Sequence, residues 1–341
     1  MSNKPFTIGL AGLGTVGLGV VKILEENRNL IATKVGREIK LKAVSARNKN
    51  KVRGVNLDKY EWVDELLSLP DREDLDAVVE VIGGTEEPSK SLIEKAIKCG
   101  KHVVTANKAL LAMHGHELAT KAEYSQLSLR FEAAVAGGIP IIKALMEGLA
   151  SNKITKISGV MNGTCNYILS RMEATNGSYE KIFSEAQSLG YVEADPSLDV
   201  GGIDAAQKLA ILSSIAFQSE INFNDIEIEG IEQISLADIQ NAKALGYRIK
   251  LIGTAELTSE GIYQGVQPCL VPKTSAISKL EGGTNMITID SDFVGQTSFS
   301  GPGAGSGPTA SAVVADLIDI AQGKRMPVFG LKVNSLKKFK K

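Results

Sequence analysis

Through the first 140 residues, short apolar runs alternate with stretches of helical periodicity. Phe6–Leu10 is a strand-length run, and Val16, Val20, Ile23 and Leu24 then recur at helical spacing. Residues 39–44 alternate, with Lys40 and Lys42 on one face. Residues 77–82, AVVEVI, are apolar except for Glu80, as in a parallel strand covered on both sides. Pro88 opens a helix that Gly100 stops, and residues 102–105 and 129–134 read as further strands. This alternation predicts a doubly wound, mostly parallel α/β sheet. After residue 140 the pattern changes. Helices are expected at 140–150, from 162, at 179–189 and at 203–217, and strands at 155–161, 249–257, 262–270 and 285–299. The chain therefore divides into 1–140, completed by a helix at 306–325, an α+β domain at 141–305, and a tail at 326–341.

Composition narrows the class. A net charge of −1 implies no field for nucleic acid or a membrane surface. The basic run, Lys337, Lys338, Lys340 and Lys341, reads as a solvated terminus. Cys99, Cys165 and Cys269 are odd in number and lack metal-ligand spacing, which fits a reducing compartment. With no signal-peptide plan at the start and no bilayer-length apolar run, a cytoplasmic location is expected.

Candidate chemistry begins at GLGTVG. Gly12, Gly14 and Gly17 form G-x-G-x-x-G between a predicted strand and a predicted helix, the context a dinucleotide fingerprint requires. Gly12 allows the tight turn, Gly14 the approach of a pyrophosphate, and Gly17 close helix packing. After the next strand an NAD-selective site would carry an acid. This chain has Ser45, Ala46 and Arg47, followed by Lys49, Lys51 and Arg53, so NADP(H) is preferred, with NAD(H) possible. Gly83-Gly84-Thr85 and Lys108 fall at carboxyl ends of later strands, where ligands bind in such sheets. The three histidines have no third ligand beside them, so neither a zinc site nor a histidine base is expected. A second glycine-rich loop, residues 301–308, opens the late helix and either returns to the cofactor or is a plain connection.

Residues 195–208, DPSLDVGGIDAAQK, join a polar loop to the start of a helix. Asp204 and Lys208 are four apart and share a helix face, which by itself signals only a solvated ion pair. Glu193, Asp195 and Asp199 precede them, and a lysine sheltered among carboxylates can hold or pass a proton.

GLGTVG, EVIGG (80–84), HVVTANK (102–108), FEAAVAGGIPI (131–141), NGTCNYIL (162–169), GYVEADPSLDVGGIDAAQK (190–208) and GPGAG (301–305) together resemble the homoserine dehydrogenase family. The resemblance spans nearly the whole chain. It implies a Rossmann-type dinucleotide-binding domain, a second α+β domain for substrate and dimerisation, and a homodimer. The implied reaction is NAD(P)-dependent interconversion of L-aspartate 4-semialdehyde and L-homoserine, in the route to threonine, methionine and isoleucine. It further implies that Gly12, Leu13, Gly14, Thr15, Val16, Gly17 and Gly305 hold the cofactor, with Thr85 and Lys108 by the nicotinamide and substrate. Glu193, Asp199 and Thr164 would bind substrate, Lys208 would be the general acid–base, and Asp204 would stand beside it. Glu132, Val135, Gly137 and Ile139 would hold a structural Na⁺ or K⁺, mostly through backbone carbonyls. Many members continue into a regulatory domain. This sequence stops about where the catalytic portion does, so insensitivity to threonine through that route is expected. Two rival readings are an aspartate-semialdehyde dehydrogenase using Cys165 as nucleophile and a non-catalytic dinucleotide sensor.

Overall fold

A computed structural model describes residues 4–190 and 196–338. The chain forms two compact units, Met1–Lys143 with Gly305–Lys337, and Ala144–Ala304 with Lys338–Lys341.

The first unit is built on six parallel strands: β1 (Phe6–Ala11), β2 (Ile39–Ser45), β3 (Glu61–Trp62), β4 (Ala77–Glu80), β5 (His102–Thr105) and β6 (Leu129–Arg130). Their order is β3-β2-β1-β4-β5-β6, so the order in which strands are added reverses between β1 and β4 while all stay parallel. Helices α1 (Thr15–Glu26), α2 (Arg28–Val35), α3 (Ser89–Lys98) and α4 (Lys108–Tyr124) connect the strands, and α5 (Ile141–Lys143) ends the first stretch of the unit. The last helix, Ser306–Ala321, returns to pack on α1. The two backbones touch there: a Cβ on Gly19 would lie 2.6 Å from the Ser306 carbonyl oxygen and 2.8 Å from the Ala310 Cβ. Ile8, Leu10, Val20 and Val21 join Val313 and Leu317 in one core, all wholly buried. Burying each such side chain contributes about 1.5–3 kcal/mol relative to exposure.

In the first unit, three features differ from expectation. The run 129–134 is a strand only at Leu129–Arg130 and then a tight turn, Glu132–Ala134. The Glu132 N–H donates to Asp316 (2.8 Å), which takes it out of the sheet ladder. The apolar run therefore marks burial, not extension. Helix α4 was not anticipated. Residues 326–337, set apart as a tail, pack on the first unit. The Phe329 ring lies 5.5 Å from that of Phe131, and the Glu123 carboxylate accepts the Val328 and Val333 N–H groups at 3.1 and 3.0 Å.

The second unit has strands β7 (Ile154–Val160), β8 (Glu227–Ile228), β9 (Tyr247–Leu257), β10 (Ile262–Pro272), β11 (Thr284–Ser291) and β12 (Gly295–Pro302), in the order β12-β11-β7-β9-β10-β8. All neighbours are antiparallel except β10 and β8. The expected strand 285–299 is thus a hairpin, turned at Gly295, which has φ +72. The expected helix 140–150 is α5 followed by a π turn at Ala144–Gly148. The helices are α6 (Gly163–Thr175), α7 (Tyr179–Ser188), α8 (Ser197–Val200), α9 (Ile203–Phe217) and α10 (Leu236–Ala244), and the helix that closes the first unit is then α11. Helices α6 and α9 lie on β9, with α9 also reaching β7 and β10. Nearly every residue of α9 is buried, so it is a core helix and not one with a single apolar stripe.

Lys250 on β9 is wholly buried, and its ammonium donates to Asn166 Oδ1 (2.6 Å), Ser170 Oγ (3.1 Å) and the Leu280 carbonyl (2.6 Å). Burial, with Arg248 adding to it, lowers its pKa from 10.5 to about 8. The folded value lies below the unfolded one, so between them the unfolded chain binds more protons and stability rises with pH. Urea unfolding of wild type and Lys250→Met should diverge in favour of wild type by roughly 2 kcal/mol between pH 7.5 and 9.5. A difference that stays constant over that range would refute the assignment.

Candidate functional site

In the first unit, candidate residues gather at the carboxyl ends of β1, β2, β4 and β5. Gly12 has φ +103, and a Cβ there would lie 2.6 Å from the Val81 carbonyl oxygen. A Cβ on Gly17 would lie 2.0 Å from the Gly12 carbonyl oxygen. Both glycines are required by the turn itself. Gly14 differs: its φ is −85, and a Cβ there would meet nothing within 4 Å. The fold does not need a glycine at that position, whereas a ligand approaching the backbone does. Gly14 is the N-cap of α1 without a side-chain cap, and Thr15, Val16 and Gly17 form the first turn with no acid among them. The N–H groups and positive dipole end there suit phosphates. Leu13 is buried beneath the turn. Gly305, with φ +121, is the N-cap of α11, and Ser306 Oγ donates to the Thr15 carbonyl at 2.8 Å. Two helix N-termini therefore meet at the glycine turn. The late loop thus brings the start of α11 back to the glycine turn.

Beside it stands Glu80, a residue with no role assigned from sequence. It is wholly buried. Its carboxylate accepts from the Ile82 and Gly83 N–H groups (2.8 and 3.1 Å), Ser89 Oγ (3.1 Å) and Thr105 Oγ1 (2.5 Å). Asn107 caps α4 by accepting the Leu110 N–H (3.0 Å) and donates to the Gly84 carbonyl (2.8 Å). One network thus ties the Gly83-Gly84 turn, which leads to exposed Thr85, to the first turn of α4, where half-buried Lys108 sits. The signal in the sequence was a lone acid inside an apolar strand. Arg47 is exposed just past β2, whose last residue, Ser45, accepts the Gly12 N–H at 2.9 Å. Arg53 is committed locally: it donates to the Asn48, Lys49 and Lys51 carbonyls and lies 5.5 Å from the Trp62 ring.

The second unit carries the acids and the lysine. Lys208 Nζ donates to Asp204 Oδ2 (2.7 Å) and to the Met161 carbonyl (2.8 Å). Their side chains are only 10% and 13% exposed, so the pair is not the solvated one that its spacing alone suggests. Asn162, the N-cap of α6, donates to Asp199 Oδ1 and Asp204 Oδ2, each at 2.8 Å, and accepts the Cys165 N–H at 2.8 Å. Asp199 and Thr164 are buried, the latter in the first turn of α6. Asp199, Asp204 and Lys208 are therefore one connected cluster, and Thr164 belongs to the helix that Asn162 caps. Glu193 and Asp195 lie outside the described residues. Cys165 is wholly buried, with Sγ 3.2 Å from the Asp199 carbonyl oxygen, and burial, reinforced by Asp199 and Asp204, pushes its thiol well above the usual range. A thiol held that way is unsuited to act as a nucleophile.

The segment 132–139 was the candidate cation loop. No cluster of three or more His, Cys, Asp or Glu side chains able to hold a metal is present among the described residues. The Glu132 carboxylate is engaged by the Ile142 and Lys143 N–H groups, both at 2.9 Å. Of the expected carbonyl ligands, those of Glu132 and Ile139 already accept the Val135 and Ile141 N–H groups (3.4 and 2.8 Å), so each would bring only its second lone pair to a cation. Ala136 and Gly137 are consecutively left-handed, φ +56 and +51, and Ala136 is wholly buried. A left-handed alanine costs about 1–2 kcal/mol and needs a reason. An all-oxygen, carbonyl donor set fits a hard monovalent cation.

The family model described as homoserine dehydrogenase matches residues 140–318, and that described as the homoserine dehydrogenase NAD binding domain matches residues 12–132. The chain belongs to the homoserine dehydrogenase family. The homoserine dehydrogenase of Neisseria gonorrhoeae is 46% identical over 319 residues, which cover 94% of this chain and 73% of that protein. The crystal structure of a homoserine dehydrogenase from Thiobacillus denitrificans matches with a TM-score of 0.94 at 44% identity, covering 98% of this chain and 78% of that one. A hyperthermophilic archaeal homoserine dehydrogenase in complex with NADPH matches with a TM-score of 0.81 at 25% identity, covering 95% and 100%. Like other homoserine dehydrogenases, the protein is an NAD(P)-dependent oxidoreductase acting on a CH–OH group. No helix among the described residues is long and apolar enough to cross a membrane.

Proposed function

We propose that the protein reduces L-aspartate 4-semialdehyde to L-homoserine, reversibly, with Lys208 as general acid–base, in the route to threonine, methionine and isoleucine. The observation that carries this is the setting of Lys208, a buried ammonium with two N–H bonds engaged by Asp204 and Met161. An ammonium has three N–H donors, so, among the described residues, one is left for a substrate oxygen. NADPH, when bound, supplies the hydride to the aldehyde carbon. The alkoxide that develops is stabilised by the Lys208 ammonium, which then gives up its proton. In the reverse direction neutral Lys208 takes the hydroxyl proton. Asp199 and Thr164, with Glu193, bind the substrate and its α-ammonium. Thr85 and Lys108 serve the nicotinamide end. The carbonyls of Glu132, Val135, Gly137 and Ile139 would hold Na⁺ or K⁺, whose charge stiffens the buried turn.

NADP(H) is the preferred cofactor in this reading, because exposed Arg47 follows the strand end that bonds the glycine turn. The test follows absorbance at the nicotinamide band with aspartate semialdehyde and either NADPH or NADH. Wild type is expected to oxidise NADPH faster. Arg47→Ala should raise KM for NADPH roughly tenfold, the worth of one charge-assisted phosphate contact, and leave KM for NADH unchanged. Equal losses with both cofactors would remove Arg47 as the phosphate reader. No oxidation of either cofactor, with binding intact, would favour the sensor reading.

A further inference from the structure

We propose that Asn162 is a positioning residue that sets the geometry of the Lys208–Asp204 couple and of Asp199 through its side-chain amide; the inference rests on the proposed reduction. The amide is at full use on this side of α6. One N–H goes to Asp199 Oδ1, the other to Asp204 Oδ2, and the oxygen caps the Cys165 N–H, all at 2.8 Å. The orientation is fixed by chemistry. Turned over, the amide would set its oxygen against two carboxylates and its NH₂ against a backbone N–H. Asn162 is 3% exposed, so these bonds are not exchanged with bulk water.

The consequence falls on one atom. Asp204 Oδ2 accepts from both Asn162 and Lys208, so the amide and the ammonium hold the carboxylate from two sides. The same N–H pair spans the start of α9, where Asp204 sits, and α8, where Asp199 sits. A second buried amide acts on the other acceptor of Lys208: Asn285 donates to the Met161 carbonyl at 3.0 Å. Gly303 explains how Asn285 is kept there. A Cβ on Gly303 would lie 2.1 Å from Asn285 Nδ2, so only glycine lets the amide pack. Both acceptors that orient Lys208 are thus themselves oriented by asparagine.

The test uses two variants that keep an α6 cap, because Ser and Asp are both good N-cap residues. Asn162→Ser loses both bridging donors. Asn162→Asp also loses them at neutral pH and adds a third carboxylate to the cluster. Displacement of a catalytic group by about 1 Å can cost on the order of 100-fold in rate. Expected are kcat losses of about 10- to 100-fold in both, with KM for NADPH within twofold of wild type. The Asp199 and Asp204 carboxylates raise the pKa of the introduced acid and outweigh the Lys208 ammonium, whose charge Asp204 already neutralises. As it gains a proton it regains one donor, so the activity of Asn162→Asp relative to wild type should recover several-fold from pH 8 to pH 6. Asn162→Ser should show no such recovery. Turnover by either variant within twofold of wild type would overturn the proposal. So would an Asn162→Asp loss that is the same at every pH, which is what a merely structural role predicts. Wild-type protein that oxidises no NADPH with aspartate semialdehyde would instead overturn the proposed function and the inference with it.

Discussion

Lys208→Ala is expected to lower kcat for aspartate semialdehyde reduction about 10³-fold, within the range that a positioned acid–base contributes. The loss should appear in kcat more than in KM, because the ammonium acts on charge that develops in the transition state. The side chain is buried between Asp204 and the Met161 carbonyl, so water does not easily replace it as donor. The variant leaves the partly buried Asp204 carboxylate without its ammonium, although Asn162 still donates to it. Some thermal stability is therefore lost as well. Dissociation constants for NADPH keep the two effects apart. The glycine turn belongs to the first unit and Lys208 to the second, so NADPH binding should stay within twofold of wild type. A kcat within tenfold of wild type would move the proton to Lys108 or to water.

The second large effect separates two glycines of one motif. Gly14→Ala should fold with only a small fall in melting temperature, the cost of a poorer α1 cap, and bind NADPH at least tenfold more weakly. Its Cβ meets no protein atom within 4 Å and its φ of −85 suits any residue, so only a ligand close to the backbone would notice the methyl group. Gly17→Ala should fail differently. Its Cβ would lie 2.0 Å from the Gly12 carbonyl oxygen, and α1 must shift or the turn must open. Overpacking of that kind typically costs 1–3 kcal/mol, and a fall in melting temperature should accompany the loss of cofactor. Calorimetric melting and NADPH titration of the two variants decide it. Unchanged NADPH affinity in Gly14→Ala would show that the pyrophosphate does not pass over this residue.

Much of this was legible in the residues because it depends on local chemistry. The glycine spacing and the apolar run before it give β1, the turn and α1, and the Asp204–Lys208 spacing gives a shared helix face. Helix α4 was missed for a physical reason. It buries Leu110, Leu111, Ala112, Gly115, Leu118, Ala119 and Ala122, a broad surface of mostly small residues with little amphipathic contrast. Asn107 was its one signal, as a cap. Residues 129–134 misled because a continuous apolar stretch reports burial, and a buried turn can be as apolar as a strand. Glu80 showed only as a lone acid in an apolar strand, and the roles of Asn162 and Asn285 were not legible. Their bonds reach partners 25, 42 and 124 residues away, and only the fold brings these together.

The return of α11 to α1 also fixes an order of events on the ribosome. The strands of the first unit emerge early, but the helix that covers the Gly19 side of α1 is encoded after the whole of Ala144–Ala304. At about 5–20 residues per second the nascent chain carries that open flank for roughly tens of seconds. The dinucleotide-binding unit is begun first and sealed last, while the second unit can close in between.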